Sequence, residues 1–493
     1  MTGRCHPVPA RAARLVLAAV LTLGVGAIGA PSGQAVPGMA PQAGPPPVIG
    51  GPPGEGPVGP LDPTRQAQVC AEMVAQRGDF VTPPPGFTML NIAKAWEFSR
   101  GAGQKIAVID TGVFRHPRLS VIPGGDYVGK SNGTDDCDGH GTQVAGIAAA
   151  KPSPADGFAG MAPDAQIIAI RQTSQSFELN DSRDDSGETP NVPKGYGNVV
   201  TLARAIVRAV NQGATVINIS ETACLPAGEP FNDQQLGAAV RYAYNRNVVV
   251  VVASGNLESS GACKTQNPGA TGARQPDPWA GLSTLSSPAY FQPYVVAVGS
   301  VDPDGRPSAF SLAGPWVTVT APGTDHVSLN TRANPPLIDG TVDGDPKAGK
   351  VVSIDGTSFA TPYVSGLAAL IKARFPTLTA RQVIDRITRT AHHPSDGRDD
   401  LVGYGLIDPV AALSTTTSDT PALTAADPRT GDTRNVYASS PLAAPPPDRK
   451  PDNTPRNVAL GISALAVVLA VFAWPLLRNR GNRCGSLEEG SDY

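Results

Sequence analysis

The sequence predicts an α/β fold, a mostly parallel sheet with helices on both faces. Short apolar runs, KIAVID (105–110), QIIAIR (166–171), ATVINIS (214–220) and NVVVVVAS (247–254), are nearly continuous rather than alternating. Runs of that kind suit strands covered on both faces. Amphipathic stretches alternate with them. In NVVTLARAIVRAVNQG (198–213), Val199, Leu202, Ala203, Ile206, Val207 and Val210 share one helical face. NDQQLGAAVRYAYNR (232–246) repeats the pattern, and TARQVIDRITRTA (379–391) supplies a later amphipathic helix. Strand–helix alternation argues for the doubly covered sheet, and in such sheets chemistry gathers at the carboxyl ends of the strands.

The segments that flank this body follow in chain order. Arg4, Arg11 and Arg14 precede the apolar run LVLAAVLTLGVGAIGA (15–30), and small residues offer a cut after Ala30 or after Ala35, so residues 1–35 read as a secretory signal. An uncleaved anchor is the alternative. Residues 36–90 form an extension whose first half, VPGMAPQAGPPPVIGGPPGEGPVGP (36–60), is too rich in Pro and Gly to build a core. The body spans 91–410, and a Pro-rich linker spans 411–457. A flexible linker of that size reaches roughly 35–40 Å root-mean-square. The uncharged run VALGISALAVVLAVFAWPLL (458–477) is long enough to span a bilayer, and residues 478–493 are a short tail. Basic residues lie on both sides of the span, so loop charge alone does not orient it. The export signal does: the body lies outside the plasma membrane and the tail inside.

The formal net charge of −3 over 493 residues gives no reason to expect a nucleic-acid partner. Cys5 leaves with the signal and Cys484 lies in the reducing tail, which leaves Cys70, Cys137, Cys224 and Cys263 in an oxidising compartment. An even number there predicts disulfides with every pairing open. None of the four has zinc-type spacing.

Four residues carry candidate chemistry. Asp110 ends KIAVID, where an Asp is ordinarily a turn residue. His140 sits between glycines in DDCDGHGTQVAG (135–146), and Asn256 follows VVVVVASG. Ser358, in DGTSFATPYVSGLAALI (355–371), stands at the start of a helical run, where a plain helix cap is the ordinary reading. Together they supply what acyl transfer needs. Ser358 is the nucleophile and His140 its base; Asp110 orients the base, and the Asn256 amide with the Ser358 N–H holds the oxyanion. The lipase pattern does not fit, because position 360 is Ala rather than Gly, which disfavours a soluble esterase.

AVIDTGV (107–113), DGHGTQVAG (138–146), VVASGN (251–256) and GTSFATPYVSG (356–366) resemble, in order, the Asp, His, oxyanion-Asn and Ser blocks of subtilisin-like serine proteases. The resemblance covers roughly residues 90–410. It implies a subtilisin-like three-layer peptidase domain over 91–410 and endopeptidase activity on protein or peptide substrates without a cofactor. The whole layout further resembles the mycosins, membrane-anchored subtilases of actinobacterial type VII secretion systems. That implies membrane components of such a system as partners, a single-pass plasma-membrane location through a C-terminal transmembrane helix, and an extracytoplasmic catalytic domain. The cysteines fit this likeness. Cys224 and Cys263 both follow central strands and make one pair, leaving Cys70 with Cys137 to tie the extension to the His140 loop. A scaffold that stabilises or gates the secretion complex, with proteolysis dispensable, is the alternative function.

Three features depart from the family pattern. The extension is expected to wrap the domain rather than form a removable inhibitor; a strap that blocks the cleft until cut is the alternative. INISETACL carries Glu221 and Thr222 where relatives often have Leu-Gly or Gly-Gly. That argues against broad specificity unless these side chains point away from the cleft. The first of two long loops, 172–197, is expected outside the core as a solvated insertion, with lining the cleft or binding a partner as the alternatives. The second, 334–350, lies just before Ser358, where it could shape the cleft. Asp181, Asp184 and Asp185 in the first lack an ordered calcium-loop spacing, so no metal is assigned.

Overall fold

Seven parallel strands form the central sheet of this computed structural model. They are β1 (Lys105–Asp110), β2 (Val121–Asp126), β3 (Gln166–Arg171), β4 (Val216–Ile219), β5 (Val249–Ala253), β6 (Val295–Val301) and β7 (Val317–Pro322), in the spatial order β7-β6-β5-β4-β1-β3-β2. The structure describes residues 45–76, 80–180, 195–229, 231–258, 263–271, 277–332, 334–343 and 349–415. The signal segment, nearly all of the linker, the candidate span 458–477, the tail, and Asp181, Asp184 and Asp185 lie outside the described residues. Among the described residues no helix is long and apolar enough to cross a membrane.

Strand alternation divides the core in two. Ile106, Val108, Val216, Val249, Val251, Val296 and Val298 face one layer, while Ala107, Ile109, Ile217, Ile219, Val250, Val252 and Ala297 face the other. Helices α1 (His140–Ala149), α4 (Thr357–Arg374) and α5 (Ala380–Thr390) cover the first face; α2 (Val199–Asn211) and α3 (Gln234–Asn245) cover the second. This is the three-layer arrangement expected from the continuous apolar runs. The caps are legible too: the Asn198 side chain accepts from Val200 N and Thr201 N, and Thr379 with Gln382 forms a capping box.

Three of the seven central strands went unread in the sequence. VIPGGD (121–126) contains a Pro and two Gly, yet it pairs with β3 as the edge strand, with a register shift between Pro123 and Gly125. Edges and bulges are where a sheet tolerates such residues. Strands β6 and β7 extend the other side. The stretch expected as a second loop differs as well. Leu337–Ile338 pairs with Ser328–Leu329, and Gly340–Asp343 lies between Lys350–Ser353 and Met73–Val74 of the extension.

The extension crosses the domain surface by local pairings. Arg241 Nη1 donates to the Val48 carbonyl at 2.6 Å, Glu55 pairs with Arg208, and Leu61 N donates to the Tyr196 hydroxyl at 3.0 Å. Thr64–Gln66 then pairs antiparallel with Phe177–Leu179, inside the first loop, and Ala71 N donates to the Cys137 carbonyl at 2.9 Å.

One buried group makes folding depend on pH. His326 is 2% exposed, its ring 5.8 Å from that of Phe359 and 5.7 Å from that of Tyr363. Burial pushes its pKa down to about 3, against a hydrogen bond with Pro322 that raises it. Between that value and the unfolded 6.5 the unfolded chain binds a proton that the folded chain does not, so stability falls on acidification through this window. The contribution of one such group is at most about 1.4 kcal/mol per pH unit. Urea unfolding across that range should show a slope smaller by about one proton in His326→Phe; an unchanged slope would contradict the assignment.

Candidate active site

Asp110, the last residue of β1, is fully buried. Its Oδ1 accepts from Thr111 N at 2.7 Å and makes a 2.7 Å hydrogen bond with His140 Nδ1. His140 is the first residue of α1, so a strand end and a helix start must come very close. Gly141 permits this. A Cβ there would lie 2.0 Å from the Gly112 carbonyl oxygen and 3.1 Å from Asp110 Oδ1, and no side chain fits that gap.

Asp136 holds the same junction from the other side. Its carboxylate accepts from Thr111 Oγ1 at 2.8 Å, Gly139 N at 2.7 Å, Thr142 N at 2.8 Å and Thr142 Oγ1 at 2.5 Å. Gly141 N donates in turn to Thr111 Oγ1 at 2.9 Å. Burial pushes the Asp136 pKa up to about 6, against the lowering effect of its hydrogen bonds with Thr142 and Thr111. Asp138 fastens the next residues to the chain after β3, accepting from Ser174 Oγ, Gln175 N, Ser176 N and Ser176 Oγ. Burial alone would lower the His140 pKa. The Asp110 charge and hydrogen bond, with Glu221 and Asp136 adding to them, push it up to about 9.

Ser358 is the second residue of α4, a helix buried on nearly every side. The cap position falls on Gly356, so the ordinary reading of Ser358 as a helix cap does not hold. Pro362 lacks the N–H that would bond the Ser358 carbonyl. Ser220, just past β4, fills that role: its Oγ donates to the Ser358 carbonyl at 2.7 Å. Ser220 Oγ accepts from Asn218 Nδ2 at 2.9 Å, and Asn218 Oδ1 accepts from Ser365 Oγ at 2.8 Å. A buried chain of hydrogen bonds thus fixes the first turn of α4 to the centre of the sheet.

Asn256, after β5, is oriented by Thr357. Its Oδ1 accepts from Thr357 N at 2.9 Å and Thr357 Oγ1 at 2.8 Å, which leaves the amide donors free for another partner. A Cβ at Gly356 would lie 2.9 Å from Ser358 Oγ and 3.3 Å from Asn256 Nδ2, so these atoms flank one small space. The His140 ring is 5.0 Å from that of Phe359, the residue after Ser358. The fold therefore brings all four sequence-selected residues to the carboxyl edge of the sheet. Ser358 is 6% exposed, and a quarter (25%) of the His140 side chain is open.

Sequence reasoning missed Asp136, Asp138, Ser220 and Thr357. The signals were weak: two acids in a glycine-rich loop, and hydroxyl residues at element ends. Glu221, noted as a departure, turns toward the site, its Oε1 3.7 Å from His140 Nδ1. Burial pushes its pKa up to about 7, against the lowering effect of His140. Ligand atoms of Asp110, His140 and Glu221 lie within 4.8 Å of one another. The Asp110 and His140 atoms are already bonded to each other, so we assign no metal there. Cys70 lies against Cys137 with Cα atoms 4.6 Å apart, and Cys224 against Cys263 at 5.3 Å, each as a disulfide.

The subtilase family model matches residues 101–405. The chain is 44% identical to Mycosin-1 of Mycobacterium tuberculosis over 442 residues, 88% of this chain and 95% of the relative. Among solved structures it is similar to the MycP3 protease from the type VII (ESX-3) secretion system. The TM-score is 0.68 at 43% identity, covering 75% of this chain and 99% of that one. It is also similar to a chain in the structure of an intact ESX-5 inner membrane complex, with a TM-score of 0.70 at 40% identity, covering 88% and 99%.

The close approach at Gly141 makes a sharp test. Gly141→Ala should separate His140 from Asp110 and lower peptide hydrolysis by about a hundredfold or more. Gly54→Ala, where an added Cβ meets nothing, should leave the rate unchanged. Equal rates in the two variants would contradict this account of the junction.

Proposed function

The chain belongs to the subtilase family of serine proteases, in its mycosin branch, and from that premise we propose that it is a membrane-anchored endopeptidase working through Asp110, His140 and Ser358. Ser358 Oγ attacks the scissile carbonyl while His140 Nε2 takes its proton. Asp110 keeps Nδ1–H directed at its own carboxylate and stabilises the imidazolium. The negative oxygen of the tetrahedral intermediate lies against Asn256 Nδ2 and the Ser358 N–H. His140 then protonates the leaving amine, and water resolves the acyl-enzyme by the same steps in reverse. The single observation that carries this reading is the 2.7 Å hydrogen bond between buried Asp110 and His140 at the edge where Ser358 begins its helix.

Residues 458–477 act as the single span, and the signal at 1–35 places the catalytic domain on the extracytoplasmic side. Residues 36–90 are a wrapping extension, 91–410 the peptidase domain, 411–457 the linker and 478–493 the cytoplasmic tail. The likeness to the MycP3 protease and to a chain of the ESX-5 inner membrane complex supports association with the membrane components of a type VII secretion system. The scaffold alternative has no geometric support of its own, since the site keeps each group that the chemistry requires.

Hydrolysis of a chromogenic peptide by the detergent-solubilised full chain tests the assignment. Ser358→Ala should reduce the rate to background. Asn256→Ala, losing one oxyanion donor, should lower kcat by about 10²–10³ with little change in KM. Undiminished hydrolysis in Ser358→Ala would reject the assignment.

A further inference from the structure

Glu221 follows Ser220, the residue that donates to the Ser358 carbonyl, so its backbone is fixed relative to the start of α4. Its Oε1 stands 3.7 Å from His140 Nδ1, the same nitrogen that bonds Asp110 Oδ1 at 2.7 Å. About a third (34%) of the Glu221 side chain is exposed. The titratable groups that act on His140 and Glu221 come from several elements: Asp110 from β1, Asp136 and Asp138 from the loop before α1, and Glu258 from beyond β5. From α4 the facing group is the uncharged Phe359 ring. Every charged neighbour in this set is acidic, and the imidazole is the one group in it that becomes cationic. Within this set the Glu221 carboxylate faces a cation only when His140 holds a proton on both nitrogens.

We propose that Glu221 is a positioning residue that sets a second carboxylate against the His140 imidazolium and so raises the pH at which His140 becomes free to act as a base. The inference rests on the reading of His140 as the base that serves Ser358. An opposite charge within about 4–6 Å favours the charged form of a titrating group. In the resting chain this keeps the imidazole protonated to higher pH, which delays the onset of activity as pH rises. Once Ser358 has given up its proton, the same carboxylate stabilises the imidazolium that forms. Glu221 acts through His140 and needs no contact with the reacting carbonyl. Glu221 and His140 titrate as a linked pair, so the pH profile reports on both.

The test is the pH dependence of kcat/KM for hydrolysis of a chromogenic peptide by the full chain in detergent, measured for the wild type, Glu221→Gln, Glu221→Ala and Glu221→Asp. Either neutral replacement removes the stabilising charge, so the acid limb should move to lower pH by about one unit. Glu221→Asp keeps a carboxylate and should keep the limb near that of the wild type. A merely structural role would lower the rate at every pH without moving the limb. Wild-type hydrolysis with limbs that superimpose in Gln and Ala overturns the inference and leaves the proposed function standing. No hydrolysis by the wild type at any pH overturns the proposed function, and the inference with it.

Discussion

One hydrogen bond organises this molecule, that between the carboxylate of Asp110 at a strand end and the imidazole of His140 at a helix start. It requires two backbone segments thirty residues apart in sequence to meet at hydrogen-bonding distance inside a buried edge. Much of the surrounding structure serves that meeting. The register of β1 against β3 and β4 places Asp110; Asp136 and Thr111 hold the start of α1 beside it. Gly141 leaves the space without which none of these contacts could form. A buried carboxylate needs compensating donors, and Asp136 gathers four of them from the junction itself.

The second constraint concerns α4. A helix surrounded by core has no solvent to satisfy the backbone groups of its first turn. Pro362 adds to the difficulty by withholding the N–H that would reach the Ser358 carbonyl. The sheet supplies what the helix lacks: Ser220 serves that carbonyl, and Asn256 accepts from Thr357 N. The groups that solve this backbone problem stand beside Ser358. Glu221 enters the site by the same route, carried in by its neighbour Ser220.

Legibility in the sequence followed the physics. Strands covered on both faces read as continuous apolar runs, and four of the seven central strands were recognised in that way. Edge strand β2 was not, because Pro123, Gly124 and Gly125 argue against a strand wherever the edge context is unknown. The four groups of the site were readable because each stands at an element end in a glycine-rich or small-residue setting. Their supports were harder to see. Asn218 is a polar residue inside an apolar run, and its bond to Ser365 joins residues so far apart in sequence that no local pattern reveals it. Asp136 and Asp138 look alike in the sequence, and only the fold shows that one turns toward Thr111 and the other toward Ser174. The orientation of Glu221 toward His140 likewise shows only in the fold, because the two residues lie far apart in the chain.

A nucleophile assembled at this junction reacts covalently with a serine-directed electrophile. The full chain in detergent, treated with a fluorophosphonate and then analysed by intact mass and peptide mapping, should carry a single adduct on Ser358 that is absent from His140→Ala. A folded chain that takes up no adduct, or carries it on another serine, would contradict the account.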